Sequence, residues 1–563
     1  MNGLQEACTQ LRGRWGLEFG RVRAVVHELG NAVTPDELIA RSRLSHRAVT
    51  EILDHLQPFL CRDLDRVRLM DGARDAAVAA FGPPPDRRDP WYEAAHRHPL
   101  LPEVVADLTG RPGPNRHLDQ VAATAVTMVK RALFLSQRFD LTGASVLLLG
   151  DHDLTSLALA RLAPGADIAV ADVDERVLEF VGDVRRRRGS PIETFFADLR
   201  LELPRSLAAR FDLVFTDPPY TPAGVKLFLL RGIQALNEHA FSRICASYGV
   251  GEHQAALAYK VQAAIGDLRL VIEAIEPGFN EYGHAPALGN RSDLYVLRPT
   301  RRSGPAAKRW TGPASIYTRG HAAKESPAPE IPAAVIEQLG RFAASERTVV
   351  ADDDPERLAA VPAAERMSLS AYLSDGTLER CRKTVIASLY PDHADYLARL
   401  CLRSQAEHLA VCAAQRAVAD LFAHPNPVRR LIEIRFEVTD RLQQGNVCAV
   451  CLKQRLPDGE DDAVILVLHG ILGRPRSRLI NAWRESLISW SRTQGHDLTK
   501  NHARRIISES RLAADHPRND LADLPGAALQ RLIDDIAASI DRALPSGAVI
   551  RPETRHRFAS FGE

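Results

Sequence analysis

Apolar positions along the chain fall into three regimes separated by proline-rich breaks. Up to about residue 81 they follow short helical and strand periods. Thr34 followed by Glu37 forms a capping box before a helix Pro35 to Ala40, and Ser45 caps a second helix, His46 to Leu56. Cys61 to Met70 alternates as a small hairpin. Helix, turn, helix and hairpin together predict a winged-helix-like domain over 1–81, closed by Gly82-Pro83-Pro84-Pro85. A long amphipathic helix, about His117 to Arg138, opens the second regime at 91–298. Prolines at 299, 305, 313, 327, 329 and 332 then mark 299–332 as a linker or a strap lying on a surface. Residues 333–563 read as a mainly helical domain of unassigned role. Helices are expected within Leu378 to Ala423 and Ala527 to Leu544, with strands at Phe436 to Lys453 and Ala463 to His469.

The second regime alternates strand and helix. Ser145 to Leu149 is a continuous apolar run suited to a buried parallel strand, and Gly150-Asp151-His152-Asp153 follows it. Asp167 to Ala171 ends at Asp172, Ile192 to Phe196 at Asp198, and Phe211 to Thr216 at Asp217-Pro218-Pro219-Tyr220. Ligands bind at the carboxyl ends of such strands, and an acid arrives there four times. Asp172 could cap a helix and Asp198 could close a turn. The order of the acids also suits a nucleoside: Asp172 for paired ribose hydroxyls, Asp198 for an adenine amine. Pro218 and Pro219 bring carbonyls without N–H donors, Asp217 can accept a proton, and the Tyr220 ring can face a cation, so this loop predicts an amine site.

Charge narrows the classes. Lys plus Arg is 72 and Asp plus Glu 71, a formal net charge of +1 in 563 residues, which argues against a nucleic-acid coat or a polybasic membrane binder. The second helix of the first domain carries Glu51 and Asp54, read as exposed and of the wrong sign for phosphates. Eight cysteines do not make a disulfide framework, and Cys448 and Cys451 would point to opposite faces of a strand, so no metal site is expected. The four arginines Arg185 to Arg188 suit a helix C-terminus. The apolar run Ala463 to Leu468 is far short of the ~20 residues of a membrane helix, and Met1 to Glu6 has no secretory pattern. A cytoplasmic location is therefore expected, with neither membrane nor nucleic acid as partner.

The stretches Leu148 to Ser156, Asp172 to Leu178, Asp217 to Pro222, Gly224, Leu227, Phe228, Arg231-Gly232 and Gly289 to Tyr295, with Asp119-Gln120 before the first strand, resemble the branched-chain polyamine synthases, the N4-bis(aminopropyl)spermidine synthases. The likeness covers about residues 1 to 320. It implies an α/β chain with a winged-helix-like domain before a Rossmann-like catalytic domain of class I methyltransferase type. It also implies transfer of an aminopropyl group from decarboxylated S-adenosylmethionine to a polyamine such as spermidine, release of methylthioadenosine, and a homodimer. The family loop reads Gly-Asp-Asp-Asp, and here its middle acid is His152. The expected catalytic residues are Asp151, Asp153, Asp217 and His152. Gly150, Asp172 and Asp198 are expected to bind the cosubstrate, and Asp217, Pro218, Pro219 and Tyr220 the amine.

Two other classes fit parts of the pattern. Asp-Pro-Pro-Tyr also serves amino-group methyltransferases using intact S-adenosylmethionine, and a winged helix could belong to a regulator with a degenerate catalytic domain. One contrast separates the cosubstrates. In methyltransferases a Gly-x-Gly loop leaves room for the methionine carboxylate. Here Asp151 and Asp153 stand in that place, and a carboxylate about 4 Å from one of them meets a repulsion of ~4 kcal/mol at an effective dielectric of ~20. The decarboxylated form, ending in an ammonium, would be attracted.

Overall fold

The computed structural model describes residues 2–544 except 43, 84–88, 238–240, 250, 252–253, 284–289, 309–315, 318–329, 344–347, 355, 375–382, 392, 394–395, 424–425 and 458–461. Pro84, Pro85, Gly289 and most of the expected linker lie outside the described residues. The first segment packs its own apolar core from Leu4 to Phe81. Its helix Pro35–Ser42 carries the reciprocal capping box, Glu37 N–H to Thr34 Oγ1 at 3.1 Å and Thr34 N–H to Glu37 Oε2 at 2.9 Å. Ser45 accepts from Ala48 N–H at the start of His46–Leu56, and β1 (Leu60–Asp63) pairs antiparallel with β2 (Arg66–Leu69). Asp54 is exposed, but Glu51 is not. Its side chain retains 12% exposure because Arg14 from the first helix pairs with it at 2.6 Å.

The second segment builds a seven-stranded sheet from β3 (Ser145–Leu149), β4 (Asp167–Asp172), β5 (Ile192–Phe196), β6 (Leu213–Thr216), β7 (Arg243–Tyr248), β8 (Leu270–Glu281) and β9 (Arg291–Pro299). The order is β5-β4-β3-β6-β7-β9-β8, with the first five parallel and β9 antiparallel to both neighbours. This is a Rossmann-like sheet whose order reverses between β3 and β6, so the crevice for a ligand opens at their carboxyl ends. Alternate residues of β3 serve its two faces: Val146 and Leu148 join one apolar cluster, Leu147 and Leu149 the other. The long helix starts later than expected, at Ala125–Arg138, capped by Thr124, with a short 3₁₀ turn Arg116–Leu118 before it.

The third segment departs from the expectation of a mainly helical domain. Its first half carries a six-stranded sheet in the order β11-β10-β12-β13-β15-β14, built from β10 (Thr348–Ala351), β11 (Glu365–Met367), β12 (Thr384–Ser388), β13 (His408–Ala414), β14 (Phe436–Gln444) and β15 (Val447–Gln454). The region expected to be helices from Leu378 contains β12 and β13, whose short apolar runs carry no period of their own. Ala463–Leu472 is a helix rather than a strand, capped by Asp462, and Gly526–Ala543 is the expected amphipathic helix. Cys448 and Cys451 are buried on opposite faces of β15, in different apolar clusters. One apolar cluster runs from Ala95 through the seven-stranded sheet to Ile540, so the third segment packs on the second. Among the described residues no helix is long and apolar enough to cross a membrane.

Candidate active site

At the end of β3 the backbone must turn sharply. Gly150 takes φ +70° and donates its N–H to Ala171 at 2.9 Å, which keeps the loop against β4. Asp151 and Asp153 are carried inward on this loop and are both buried. Asp151 accepts from Ser156 N–H at 3.3 Å and donates its own backbone N–H to Asp172 Oδ2 at 2.9 Å. Burial, with the charges of Asp153 and Asp172 adding to it, pushes the Asp151 carboxyl up to about 7 despite the Ser156 bonds.

Arg131, on the helix Ala125–Arg138, is fully buried and joins the loops after β3 and β6. Its Nη1 lies 2.6 Å from Asp153 Oδ2, its Nη2 2.5 Å from Asp217 Oδ2, and its Nε donates to Asn280 Oδ1 at 2.8 Å. Asp217 also accepts from the Tyr220 hydroxyl at 2.9 Å and the Tyr282 hydroxyl at 2.8 Å. The two phenols meet at 2.6 Å, and Tyr282 reaches Ser292 Oγ at 2.7 Å. The two carboxyls on one guanidinium differ. Burial raises Asp217, and Asp153 adds to that rise against the pull of Arg131. Burial opposes ionisation of Asp153 too, but His152, Arg131 and the Ala123 N–H outweigh it and hold this carboxyl below its ordinary value. Burial and the Asp217 charge keep both phenols protonated far into alkaline pH, as donors.

His152 Nε2 donates to the Val121 carbonyl at 2.9 Å and stands 3.2 Å from Asp153 Oδ1, while Ala123 N–H donates to the same Oδ1 at 2.7 Å. The residue replacing the family acid thus ties the 121–123 segment to the loop. Burial lowers its basicity, but Asp153 and Val121 win and raise it above the ordinary histidine value.

Asp172 does not cap the helix after β4. Asp174 does so, accepting from Arg176 N–H, while Gln120 Nε2 donates to Asp174 at 3.1 Å. Asp172 is buried and instead accepts one backbone N–H on each oxygen, from Asp151 and from Asp174. Asp198, at the end of β5, is gripped by Arg200 through Nε at 2.9 Å and Nη2 at 2.6 Å. Burial opposes its ionisation, but Arg200 and His393 hold its carboxyl well below the usual range. After β6 the Pro219 carbonyl accepts from Thr221 N–H at 2.8 Å. A β-carbon at Gly224 would stand 2.7 Å from that oxygen, so only glycine lets the helix Pro222–Ala235 close on the loop. Thr221 Oγ1 donates to the Ile316 carbonyl, and buried Ile316 and Tyr317 show the described part of the expected strap lying on this domain.

The crevice therefore gathers Gly150, Asp151, His152, Asp153, Asp172, Asp217, Pro218, Pro219 and Tyr220 around β3, β4 and β6, with Asp198 beyond them at β5. Sequence reasoning missed Arg131, Tyr282, Asn280 and Ser247, whose Oγ accepts from Arg131 Nη2 at 3.4 Å, and gave Ser292 no role although it lies in the stretch Gly289 to Tyr295. Lys130 and Arg131 on the apolar face of an otherwise buried helix were the available signal. Lys130 pairs with Asp89 at 2.9 Å. Among the described residues no cluster of His, Cys, Asp and Glu could hold a metal ion.

Residues 100–327 match the model of the family described as the branched-chain polyamine synthase A C-terminal domain. An uncharacterized protein of Methanocaldococcus jannaschii is 38% identical over 198 residues, covering 35% of this chain and 50% of the relative. An N(4)-bis(aminopropyl)spermidine synthase of the same organism is 35% identical over 187 residues, covering 32% of this chain and 53% of the enzyme. The chain thus spans about half the length of the curated relatives it matches. The branched-chain polyamine synthase of Thermus thermophilus, solved in complex with N4-aminopropylspermidine and 5'-methylthioadenosine, aligns at 26% identity and TM-score 0.41, over 54% of this chain and 93% of that one.

Proposed function

We propose that this chain is an aminopropyltransferase that moves an aminopropyl group from decarboxylated S-adenosylmethionine to a polyamine nitrogen and releases methylthioadenosine. The observation that carries the reading is the charge balance of the crevice: Asp151, Asp153 and Asp217 meet at the ends of β3 and β6, where the single buried guanidinium of Arg131 spans two of them. Surplus acid there suits a cationic amine and a sulfonium.

In the reaction the lone pair of an uncharged amine attacks the methylene beside the sulfonium. The carbon–sulfur electron pair stays on sulfur, leaving a neutral thioether, and the new ammonium gives up one proton. Asp217 is the acceptor of that proton, because burial has raised its carboxyl while Tyr220 and Tyr282 orient it. Pro218 and Tyr220 form the amine side of the crevice, and Gly150 and Asp172 the nucleoside side. His152 orients Asp153 and the 121–123 segment, leaving Nδ1 as its only nitrogen for proton relay. Asp151, raised to about 7, is the group whose proton a bound ammonium would displace. The first segment acts as a winged-helix-like unit in a cytoplasmic homodimer.

Spermidine incubated with each cosubstrate in turn, followed by mass spectrometry, tests this. Decarboxylated S-adenosylmethionine should yield methylthioadenosine and an amine heavier by one aminopropyl unit. A methylated amine formed only from intact S-adenosylmethionine would replace this reading with the methyltransferase one, for which the Asp-Pro-Pro-Tyr loop is equally suited.

A further inference from the structure

The amine side of the crevice continues past Tyr220. β7 runs parallel to β6 with Ala246 beside Thr216, so Tyr248, two residues on, stands next to the loop that carries Asp217. The Tyr220 and Tyr248 rings meet edge to face with centroids 5.5 Å apart, and Tyr248 leans on Tyr295 at 6.5 Å. Tyr220 is the partly exposed member of this trio, while Tyr248 and Tyr295 are buried. The phenols of Tyr220 and Tyr282 are spent on Asp217. The Tyr248 hydroxyl has no hydrogen-bond partner, although the residue is only 4% exposed.

β9 runs antiparallel to β7 and sets Asp293 directly opposite Tyr248. Opposed residues of such a pair share a face, with β-carbons about 5 Å apart. Asp293 Oδ1 accepts Gly278 N–H at 2.7 Å, and Oδ2 has no hydrogen bond or ion pair among the described residues. Burial raises the Asp293 carboxyl against the pull of that N–H, and burial keeps the Tyr248 phenol protonated far into alkaline pH. An unpaired buried hydroxyl costs stability that a phenylalanine, with the same ring contacts, would not. A neutral phenol oxygen and a half-used carboxylate side by side are the acceptors that an ammonium needs. A run of methylenes laid along the Tyr220 ring joins this pair to Asp217.

We propose that Tyr248 and Asp293 form a second subsite of the amine crevice, which takes a neighbouring nitrogen of the acceptor and so selects a polyamine over a monoamine. The inference rests on the reading above, in which the reacting nitrogen lies at Asp217.

Steady-state kinetics on the full chain tests it with two acceptors, spermidine and dibutylamine, a secondary amine with no second nitrogen. Tyr248→Phe removes one oxygen only, and Asp293→Asn keeps an acceptor for Gly278 N–H, so both variants should fold. Asp293→Asn should raise KM for spermidine about ten-fold and Tyr248→Phe about five-fold. KM for dibutylamine and for the cosubstrate should stay put, and kcat should change less. Thermal unfolding of Tyr248→Phe should be unchanged or higher, because no hydrogen bond is lost. A wild-type chain that uses both amines equally well would overturn the proposal while the aminopropyl reading stands. So would an unchanged KM for spermidine in both variants, or an equal rise for both amines, which would reassign the pair to packing. A wild-type chain that makes no aminopropyl product would overturn the reading above. Calorimetry with spermidine then decides the subsite alone: binding weakened by both substitutions supports it, and binding changed by neither overturns it.

Discussion

Arg131 and Arg403 are both buried among carboxylates, one at the strand ends of the seven-stranded sheet and one between segments. Arg403 holds Asp523 at 2.8 Å and Asp520 at 3.4 Å and also pairs with Glu202 of the second segment. Burial raises the carboxyl of Asp523, and Asp520 adds to that rise, as Asp153 does for Asp217. By charge and burial the two clusters look alike. Their neighbours differ. Asp520 spends Oδ1 on the backbone N–H groups of Ala522 and Asp523, both at 3.0 Å, so that cluster closes a turn on itself. One of the acids at Arg131, Asp217, is met by the hydroxyls of Tyr220 and Tyr282, which can turn toward a ligand. A buried ion pair is thus weak evidence of a site. Rotatable donors beside it, at the reversal point of a parallel sheet, are the better sign.

Four substitutions put that contrast at risk. Asp217→Asn should lower kcat by about 10³-fold per folded molecule, well beyond the stability lost when one accepting oxygen is left for the Arg131, Tyr220 and Tyr282 donors. Retained turnover would remove Asp217 from the chemistry. Arg403→Met should do the opposite, costing about 3–5 kcal/mol in denaturant unfolding because it strands buried acids, with the rate per folded molecule nearly unchanged. Should it instead abolish turnover in folded protein, the two clusters would not be separable.

Asp151→Asn sharpens the comparison through pH. Unfolded, this carboxyl ionises near 4, and folded, it does so at about 7. Between those values the unfolded chain has released a proton that the folded chain keeps, so the Asp151 contribution makes stability fall as pH rises through the window. The variant should flatten that slope in unfolding curves taken from pH 4 to 7, and it should narrow the preference for decarboxylated over intact S-adenosylmethionine. An unaltered slope would mean that Asp151 is ionised throughout. The smallest effect is expected at the interface. Glu175 pairs with Arg399 at 2.5 Å and accepts Gly526 N–H at 2.8 Å, but it is partly exposed, so Glu175→Gln should cost only about 1 kcal/mol. A loss several times larger would make this contact a main support of the docking.

Local signals carried much of this structure. The capping box at Thr34, the cap at Ser45 and the strand Ile192–Phe196 were readable because each depends on neighbours in sequence. So was the placing of an acid at each strand end. Arg131 was hidden because its partners lie 22 and 86 residues away. Tyr282 was hidden for the same reason, reaching Asp217 across 65 residues. In the second sheet β14 and β15 fall on the strands expected from Phe436 to Lys453, while β10 and β12 escaped because they are short apolar runs whose pairing is decided by tertiary contact. Cys448 and Cys451 show the reverse, since alternation alone separated their faces.

β5 is the outer strand of the seven-stranded sheet, and it is sealed from far downstream. Asn519 donates to the Thr194 carbonyl at 3.0 Å, and Phe196 N–H donates to the Asp523 carbonyl at 2.8 Å. During synthesis some three hundred residues must be added between the appearance of that strand and the arrival of the segment that covers it. Through that interval a nascent chain carries an open sheet margin, the kind of surface on which neighbouring chains associate strand to strand. Full-length protein should therefore emerge soluble, whereas chains halted before residue 519 should collect as aggregates even with all seven strands of that sheet already encoded.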